Sequence, residues 1–263
     1  TLIEPVQDLR KLSLIFPVKG ALGLYRSKPG ELIGFLLGYE GEGSLLSHLK
    51  AEGLASSLGG DFYHASKDYS LAFVEVELTA KGSEQWREVM NSTFAYINLL
   101  RDSDYPDYLF QERATMARLN ELYANKGEGA SRALSLANNA LNYPLEDAAR
   151  ADYLWEEAAP ADYFELLSLM RPDNMVAMLE MKGVPTNLSE EHFGAQYSLQ
   201  PFTAEELKQF NNPEPVAAVT LPAPNRFIPN TVELLATAPS QVISEPGLSL
   251  FYGQDTEFER PRV

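Results

Sequence analysis

The segment Gly34-Phe-Leu-Leu-Gly38-Tyr-Glu40-Gly41-Glu-Gly43-Ser44-Leu-Leu-Ser-His48-Leu-Lys-Ala-Glu-Gly53-Leu54-Ala-Ser-Ser-Leu58-Gly59-Gly60 reads as the end of one helix, a glycine turn, a second helix and the start of a strand. Ile33, Phe35, Leu36 and Leu37 close the first helix with apolar residues. Gly38, Gly41 and Gly43 then supply the φ freedom that a tight reversal needs. Ser44 stands where its hydroxyl can accept a free backbone N–H of the next helix. Leu45, Leu46 and Leu49 share one side of that helix, with His48 and Lys50 off it, so the apolar stripe faces a core. Gly53 closes the helix, and Leu54 to Tyr63 continues as a glycine-interrupted strand.

Periodicity on either side adds a sheet and a layer of helices. From Asp8 to Val18, Leu12, Leu14 and Phe16 alternate with Lys11, Ser13 and Ile15, the period of two of a strand, and Pro17 is expected to end it. Tyr69 to Leu78 repeats the pattern: Ala72, Val74, Val76 and Leu78 lie on one face and Glu75 and Glu77 on the other, so the sheet has one buried side. Lys28-Pro29-Gly opens the first helix, with proline where a missing N–H costs little. Thr79 to Arg101 carries Trp86, Val89, Met90, Phe94, Ile97 and Leu100 at spacings of three and four, which predicts a long amphipathic helix. Further helices are predicted over 107–125, 130–141 and 161–170, a strand over 175–181, and a capping box at Thr203-Ala-Glu-Glu206. Strands, then helices, then strands indicate an α+β fold in which helices pack on one face of an antiparallel sheet. Pro213, Pro215, Pro222, Pro224 and Pro229 thin the following chain into an extended linker.

The 263 residues suffice for a full core, and a composition of 45% hydrophobic and 22% charged residues is that of a globular protein. Thirty-seven acidic against 21 basic side chains give a formal charge of −16. Such a surface repels phosphate backbones and anionic lipid, which argues against nucleic-acid and membrane partners. The longest apolar run, Leu32 to Tyr39, falls far short of the ~20 residues of a membrane span. With no cysteine, disulfides, thiol catalysis and cysteine metal sites are excluded. A chain that begins at Thr1 is expected to be processed or a piece of a longer one.

No catalytic residue is assigned from the sequence. It contains neither H-x-x-E-H nor H-E-x-x-H, and His48, His64 and His192 fall in three different predicted elements without ligand spacing. Glu190, Glu191 and His192 are adjacent, so an extended chain points them to opposite sides. Gly41-Glu-Gly-Ser44 lacks the Lys-Ser/Thr of a phosphate loop, and Glu40 and Glu42 would repel a phosphate there. Every serine lacks a nucleophile-elbow context, and Glu156-Glu157 and Glu205-Glu206 are expected to be exposed helix charges.

Four words are more specific: Gly38-x-Glu40-Gly-x-Gly-Ser-Leu-Leu, Tyr143-Pro-Leu-Glu146, Arg171-Pro-x-Asn174 and Asn225-x-Phe-Ile-Pro229. In these the chain, from about Arg10 to its C-terminus, resembles the second, non-catalytic domain of the insulin-degrading enzyme and pitrilysin family of zinc peptidases. The resemblance implies a domain without metal, whose zinc sits in a preceding domain of the parent enzyme. It implies a peptide-binding exosite at Gly38, Glu40, Leu58 and Gly60, where the N-terminal end of a substrate adds as an extra strand. Glu40 would take the amino terminus, Leu58 would line a side-chain pocket, and Gly60 would let another backbone come close.

The implied partners are peptide substrates together with the zinc-bearing first domain and the later domains of the parent. The implied division is an inactive peptidase-like domain over 1–212, a Pro-rich linker over 213–247, and over 248–263 the first strand of a following domain. Gly253 and Pro261-Arg262 depart from the family's usual Lys and Pro-Lys. The absence of cysteine suits a reducing cytosol and an oxidising periplasm equally well and leaves the compartment undetermined, and analogy with bacterial relatives adds only that the periplasm is plausible. A free-standing scaffold that kept the fold and lost catalysis is the alternative reading.

Overall fold

The computed structural model describes residues 1–124, 127–229 and 240–253. Seven strands form one sheet: β1 (Leu2–Glu4), β2 (Arg10–Lys19), β3 (Ala55–Tyr63), β4 (Tyr69–Leu78), β5 (Val176–Met181), β6 (Leu188–Ser189) and β7 (Gln196–Ser198). Their order is β3-β4-β2-β5-β1-β7-β6, antiparallel throughout except for the parallel pair β1–β5. The short strands β1, β6 and β7 carry too few residues to show a period in the sequence.

The helices are α1 (Pro29–Leu37), α2 (Leu45–Ala51), α3 (Ala80–Glu84), α4 (Trp86–Asp102), α5 (Asp107–Leu122), α6 (Gly129–Asn142), α7 (Pro160–Leu169) and α8 (Ala204–Asn211). The helix expected over 79–101 is two helices. Thr79 Oγ1 accepts the Gly82 N–H at 2.9 Å, and at Gln85 the backbone leaves helical angles. Gly82 is wedged so tightly against the Leu54 carbonyl that a Cβ there would overlap it, so this first turn follows the packing and not the helix axis behind it.

The core lies between one sheet face and the helices. Leu12, Leu14, Phe16, Ala72, Val74 and Val76 on the sheet are fully buried against Leu32, Ile33, Leu36, Met90, Phe94, Ile97 and Leu166. Each large apolar side chain so buried contributes about 1.5 to 3 kcal/mol. Phe94 joins the layers, edge-on to Phe16 at 6.1 Å and stacked with Phe210 of α8 at 6.0 Å. The opposite face of the sheet carries an ionic ladder, with Lys11 Nζ 3.2 Å from Glu75 and 3.4 Å from Glu180 on the two flanking strands. Exposed pairs of this kind add little stability, but they favour the observed register.

Pro17 does not end β2, which runs on to Lys19. Its residues pair with β4 throughout, whereas pairing with β5 stops at Ile15. The Pro17 carbonyl accepts from Asn174 Nδ2 at 2.9 Å on the side where β5 has run out, and a missing N–H on that side costs no ladder bond. The same Asn174 amide also donates to the Leu169 carbonyl at 2.8 Å, which accounts for the asparagine of Arg171-Pro-x-Asn174.

The first half of the Pro-rich stretch is extended but strapped to the domain. The Thr220 N–H donates to the Gly43 carbonyl at 2.9 Å, Val219 is buried, Tyr108 Oη donates to the Pro222 carbonyl, and the Asn225 N–H donates to Glu112 Oε1 at 2.8 Å. Gly43 has φ +76°, and a Cβ on it would meet Thr220 Oγ1 at 2.3 Å. The end of the expected linker is itself a strand, β8 (Ser240–Glu245), paired antiparallel with β9 (Leu248–Tyr252) in a separate two-stranded sheet. Residues 230–239 of the expected linker, and 254–263 of the expected following strand with Pro261 and Arg262, lie outside the described residues.

Candidate functional site

Strand β3 forms one edge of the sheet, and no described strand pairs with its outer side. Helix α1 is laid directly on its backbone. Gly30, Gly34 and Gly38 recur every four residues, so they share one helical face. A Cβ would meet the Phe62 ring at 2.6 Å from Gly30, Asp61 Cα at 3.4 Å from Gly34, and the Gly60 nitrogen at 2.9 Å from Gly38. The approach is reciprocal at Gly60, where a Cβ would stand 2.5 Å from Leu37 Cβ, 2.6 Å from the Gly38 nitrogen and 2.8 Å from the Gly34 carbonyl oxygen. The end of α1 is fixed from behind by the buried Tyr96, whose hydroxyl donates to the Leu36 carbonyl at 2.9 Å. The glycine spacing 30-34-38 was present in the sequence as a signal for this crossing.

The structure thus brings Gly38 and Gly60 into contact, and Glu40, two residues after Gly38, is exposed on the turn that leaves α1. Ser44 caps α2 as expected, accepting the Ser47 N–H at 3.0 Å. Leu58 is placed otherwise. Its side chain is 4% exposed and points into the core, so it does not line an open pocket. The missing side chain of Gly60 makes room for α1.

After Ser57 the outward residues of β3 are Gly59, Asp61 and Tyr63, and none of these three was singled out by sequence reasoning. With Phe73 and Glu75 of β4 and the Gly60 backbone they line a cavity of about 340 Å³ on the open sheet face. The alternation Gly59-x-Asp61-x-Tyr63 was the signal that could have found them.

The other end of α1 carries a polar corner. His64, just past β3, has Nδ1 3.2 Å from Ser70 Oγ and Nε2 3.7 Å from Glu31, and Lys28 lies 3.8 Å from the same carboxylate. Burial pushes the Glu31 carboxyl up, but His64 and Lys28 outweigh it and leave Glu31 below the usual carboxylate range. Nearby, Asp147 accepts from Tyr25 Oη at 2.6 Å and from Arg26 at 2.5 Å, and Arg26 also pairs with Glu156. The Tyr25 hydroxyl and then Arg26 hold the Asp147 carboxyl below its ordinary value. Tyr143 packs on the Tyr25 ring at 4.9 Å, so Tyr143-Pro-Leu-Glu146 delivers the chain to this cluster.

Among the described residues the three histidines are not brought together. His48 lies on α2 with its Nε2 3.5 Å from Ser92 Oγ, His64 is engaged by Ser70 and Glu31, and His192 sits in the exposed turn between β6 and β7. His64 and His192 are at opposite edges of the sheet, at least five interstrand steps of about 4.8 Å apart. Among the described residues no three or more His, Asp or Glu are arranged to hold a metal ion.

Residues 1–116 match the model of the peptidase M16 inactive domain, and residues 122–263 match that of the middle or third domain of peptidase M16. Both segments contribute strands to the one seven-stranded sheet. Insulin-degrading enzyme of Homo sapiens is 30% identical over 269 residues, covering 99% of this chain and 26% of that protein. The A-factor-processing enzyme of Saccharomyces cerevisiae is 28% identical, covering 99% and 26%. The crystal structure of pitrilysin superposes with a TM-score of 0.86 at 22% identity over 98% of this chain and 28% of that one. The chain spans about a quarter of the length of the curated relatives it matches. With both family models and a full-length alignment in agreement, the chain belongs to the M16 family of peptidases, the insulinase and pitrilysin relatives.

Proposed function

We propose that this chain is a non-catalytic, substrate-binding lobe of a zinc metalloendopeptidase that degrades peptides in a closed chamber. The lobe binds the N-terminal end of an extended peptide along the outer edge of β3, at the exosite of Gly38, Glu40, Leu58 and Gly60. Residues 1–212 form the domain proper, 213–247 the connecting segment and 248–263 the beginning of a following domain. The metal belongs to another domain of such an enzyme, and the work of this one is to hold and orient substrate, which raises its effective concentration at the reacting centre.

The observation that carries this reading is the unpaired edge of a nine-residue strand whose backbone is held rigid by α1. Free N–H and C=O groups along an edge supply main-chain bonds to any extended peptide, and Glu40, exposed on the turn after α1, supplies a carboxylate for an amino terminus. Gly38 and Gly60 contribute by fixing the edge, and Leu58 by anchoring the strand in the core.

Hydrogen exchange read by mass spectrometry tests the reading. Extended peptides with a free N-terminus are expected to slow exchange across 55–63, and N-acetylated versions to bind several-fold more weakly. Saturating peptide that leaves β3 exchange unchanged would overturn it.

A further inference from the structure

The cavity on the open sheet face lies over β3 and β4, beside the proposed binding edge. Gly59 is its floor, a Cβ there would meet nothing within 4 Å, and Gly59 lies opposite Glu75 in the β3–β4 register. Tyr63, 59% exposed, and Phe73 are its aromatic walls. Asp61 stands between them, opposite Phe73 in the register. The only hydrogen bond to its carboxylate among the described residues comes from the neighbouring Phe62 N–H, at 2.7 Å to Oδ1. Glu75, the far wall, is already engaged by Lys11 at 3.2 Å and Ser13 at 3.3 Å, so Asp61 carries the uncommitted charge.

A strand added outside β3 sends alternate side chains to this face, about 4.8 Å from β3. Most of them would be stopped by the β3 side chains. The one opposite Gly59 is not, and a long side chain can lie across the glycine and reach the slot. An aromatic-walled slot with a free carboxylate, on a chain of net charge −16, suits a cation on a long apolar stem.

We propose that Gly59, Asp61, Tyr63 and Phe73 form a subsite for an arginine or lysine side chain of the bound peptide, so that this lobe selects peptides with a basic residue at one outward position. This subsite rests on the strand-addition reading above. Asp61 supplies the charge, Tyr63 and Phe73 the faces on which the stem and guanidinium pack, and Gly59 the passage between strands.

The test uses the 263-residue chain and decapeptides with a free N-terminus, otherwise Thr and Val, carrying one arginine at each successive position, with isosteric neutral citrulline as the control. Calorimetric titration is expected to give about 5- to 10-fold tighter binding for arginine than for citrulline at the one position that comes opposite Gly59, and none of that preference at the other positions. Asp61→Asn keeps the acceptor for the Phe62 N–H, and Gly59→Val fills open space. Both are expected to cut the preference below 2-fold while peptides still slow exchange across β3. Equal binding of arginine and citrulline peptides at every position, with β3 exchange still slowed, overturns the subsite and leaves strand addition standing. No slowing of β3 exchange by any peptide overturns both.

Discussion

The two edges of the sheet are built on opposite plans. At one end β6 has two residues and turns into a three-residue β7, so little ladder is left for another chain to use. At the other end β3 offers nine residues with an outer side that no described strand pairs. Edge strands are usually shortened, bent or covered because a long open edge invites pairing with any other chain. Here the short edge follows that rule and the long one does not, although α1 lies close enough to have covered it. Instead two glycines of α1 and a third at its C-cap set the helix onto the strand's face, leaving the edge open and stiff.

The largest effect is expected where that face contact is tightest. Gly60→Val puts a branched side chain where a Cβ alone meets backbone atoms at 2.6 and 2.8 Å. Overpacking against a backbone costs about 3 kcal/mol, a melting point lower by roughly 6 to 12 °C in a calorimetric scan. An unchanged melting point would mean that α1 does not press on β3. Next comes Tyr96→Phe. It removes the buried donor to the Leu36 carbonyl, which keeps only a long 3.3 Å bond from the Tyr39 N–H outside its helix. A loss of about 1 kcal/mol in denaturant unfolding is expected, with weaker slowing of β3 exchange by peptide because the end of α1 loosens.

How far the sequence could be read follows from the range over which each feature is determined. β3 and β4, the caps at Ser44 and Thr203, and the apolar stripe of α4 depend on neighbours within a few residues, and they lie where periodicity and cap chemistry put them. Pro17 misled because what decides its fate is where β5, more than 150 residues away, stops pairing. Leu58 was assigned to a pocket by resemblance, whereas its place between Val76 and the helices is set by alternation along β3 and was legible. Gly60 reads locally as an interruption of the strand and, by resemblance, as a landing place for another chain. Only the three-dimensional crossing of α1 gives it a different role, and the strap of Thr220 over Gly43 is equally invisible to local pattern.

The far edge supplies a control on the first two variants. Helix α8 follows β7 and is tied to α4 by Glu206, which accepts from Arg87 at 2.8 Å and from the Thr203 N–H at 2.8 Å. Thr203→Ala removes the cap and is expected to cost about 1 kcal/mol, with peptide affinity unchanged. The Thr203 N–H, and after it Arg87, hold the Glu206 carboxyl below its ordinary value. A depressed folded-state pKa contributes stability above the unfolded value of about 4.3, and that contribution is lost as pH falls through the folded value. Glu206→Gln is therefore expected to be less stable than the native chain at pH 7 and to converge with it below pH 4. A gap that persists in acid would show that the carboxylate's charge is not what ties α8 down.

The smallest effect separates two kinds of glycine within the one stripe. Gly34 lies between Gly30 and Gly38 on the same face of α1, yet a Cβ there would stand 3.4 Å from Asp61 Cα and 3.5 Å from its carbonyl carbon, an ordinary contact. Alanine also favours the helix over glycine by up to about 1 kcal/mol, so Gly34→Ala is expected to be neutral or stabilising by about 0.5 kcal/mol. Gly38→Ala, whose Cβ would meet the Gly60 nitrogen at 2.9 Å, must move the helix end and is expected to destabilise. Equal and opposite shifts in the midpoints of these two variants would locate the close crossing at the end of α1, next to Glu40. Two losses of the same size would spread it along the whole helix, and the open edge would then owe its stiffness to α1 as a body and not to one point of backbone contact.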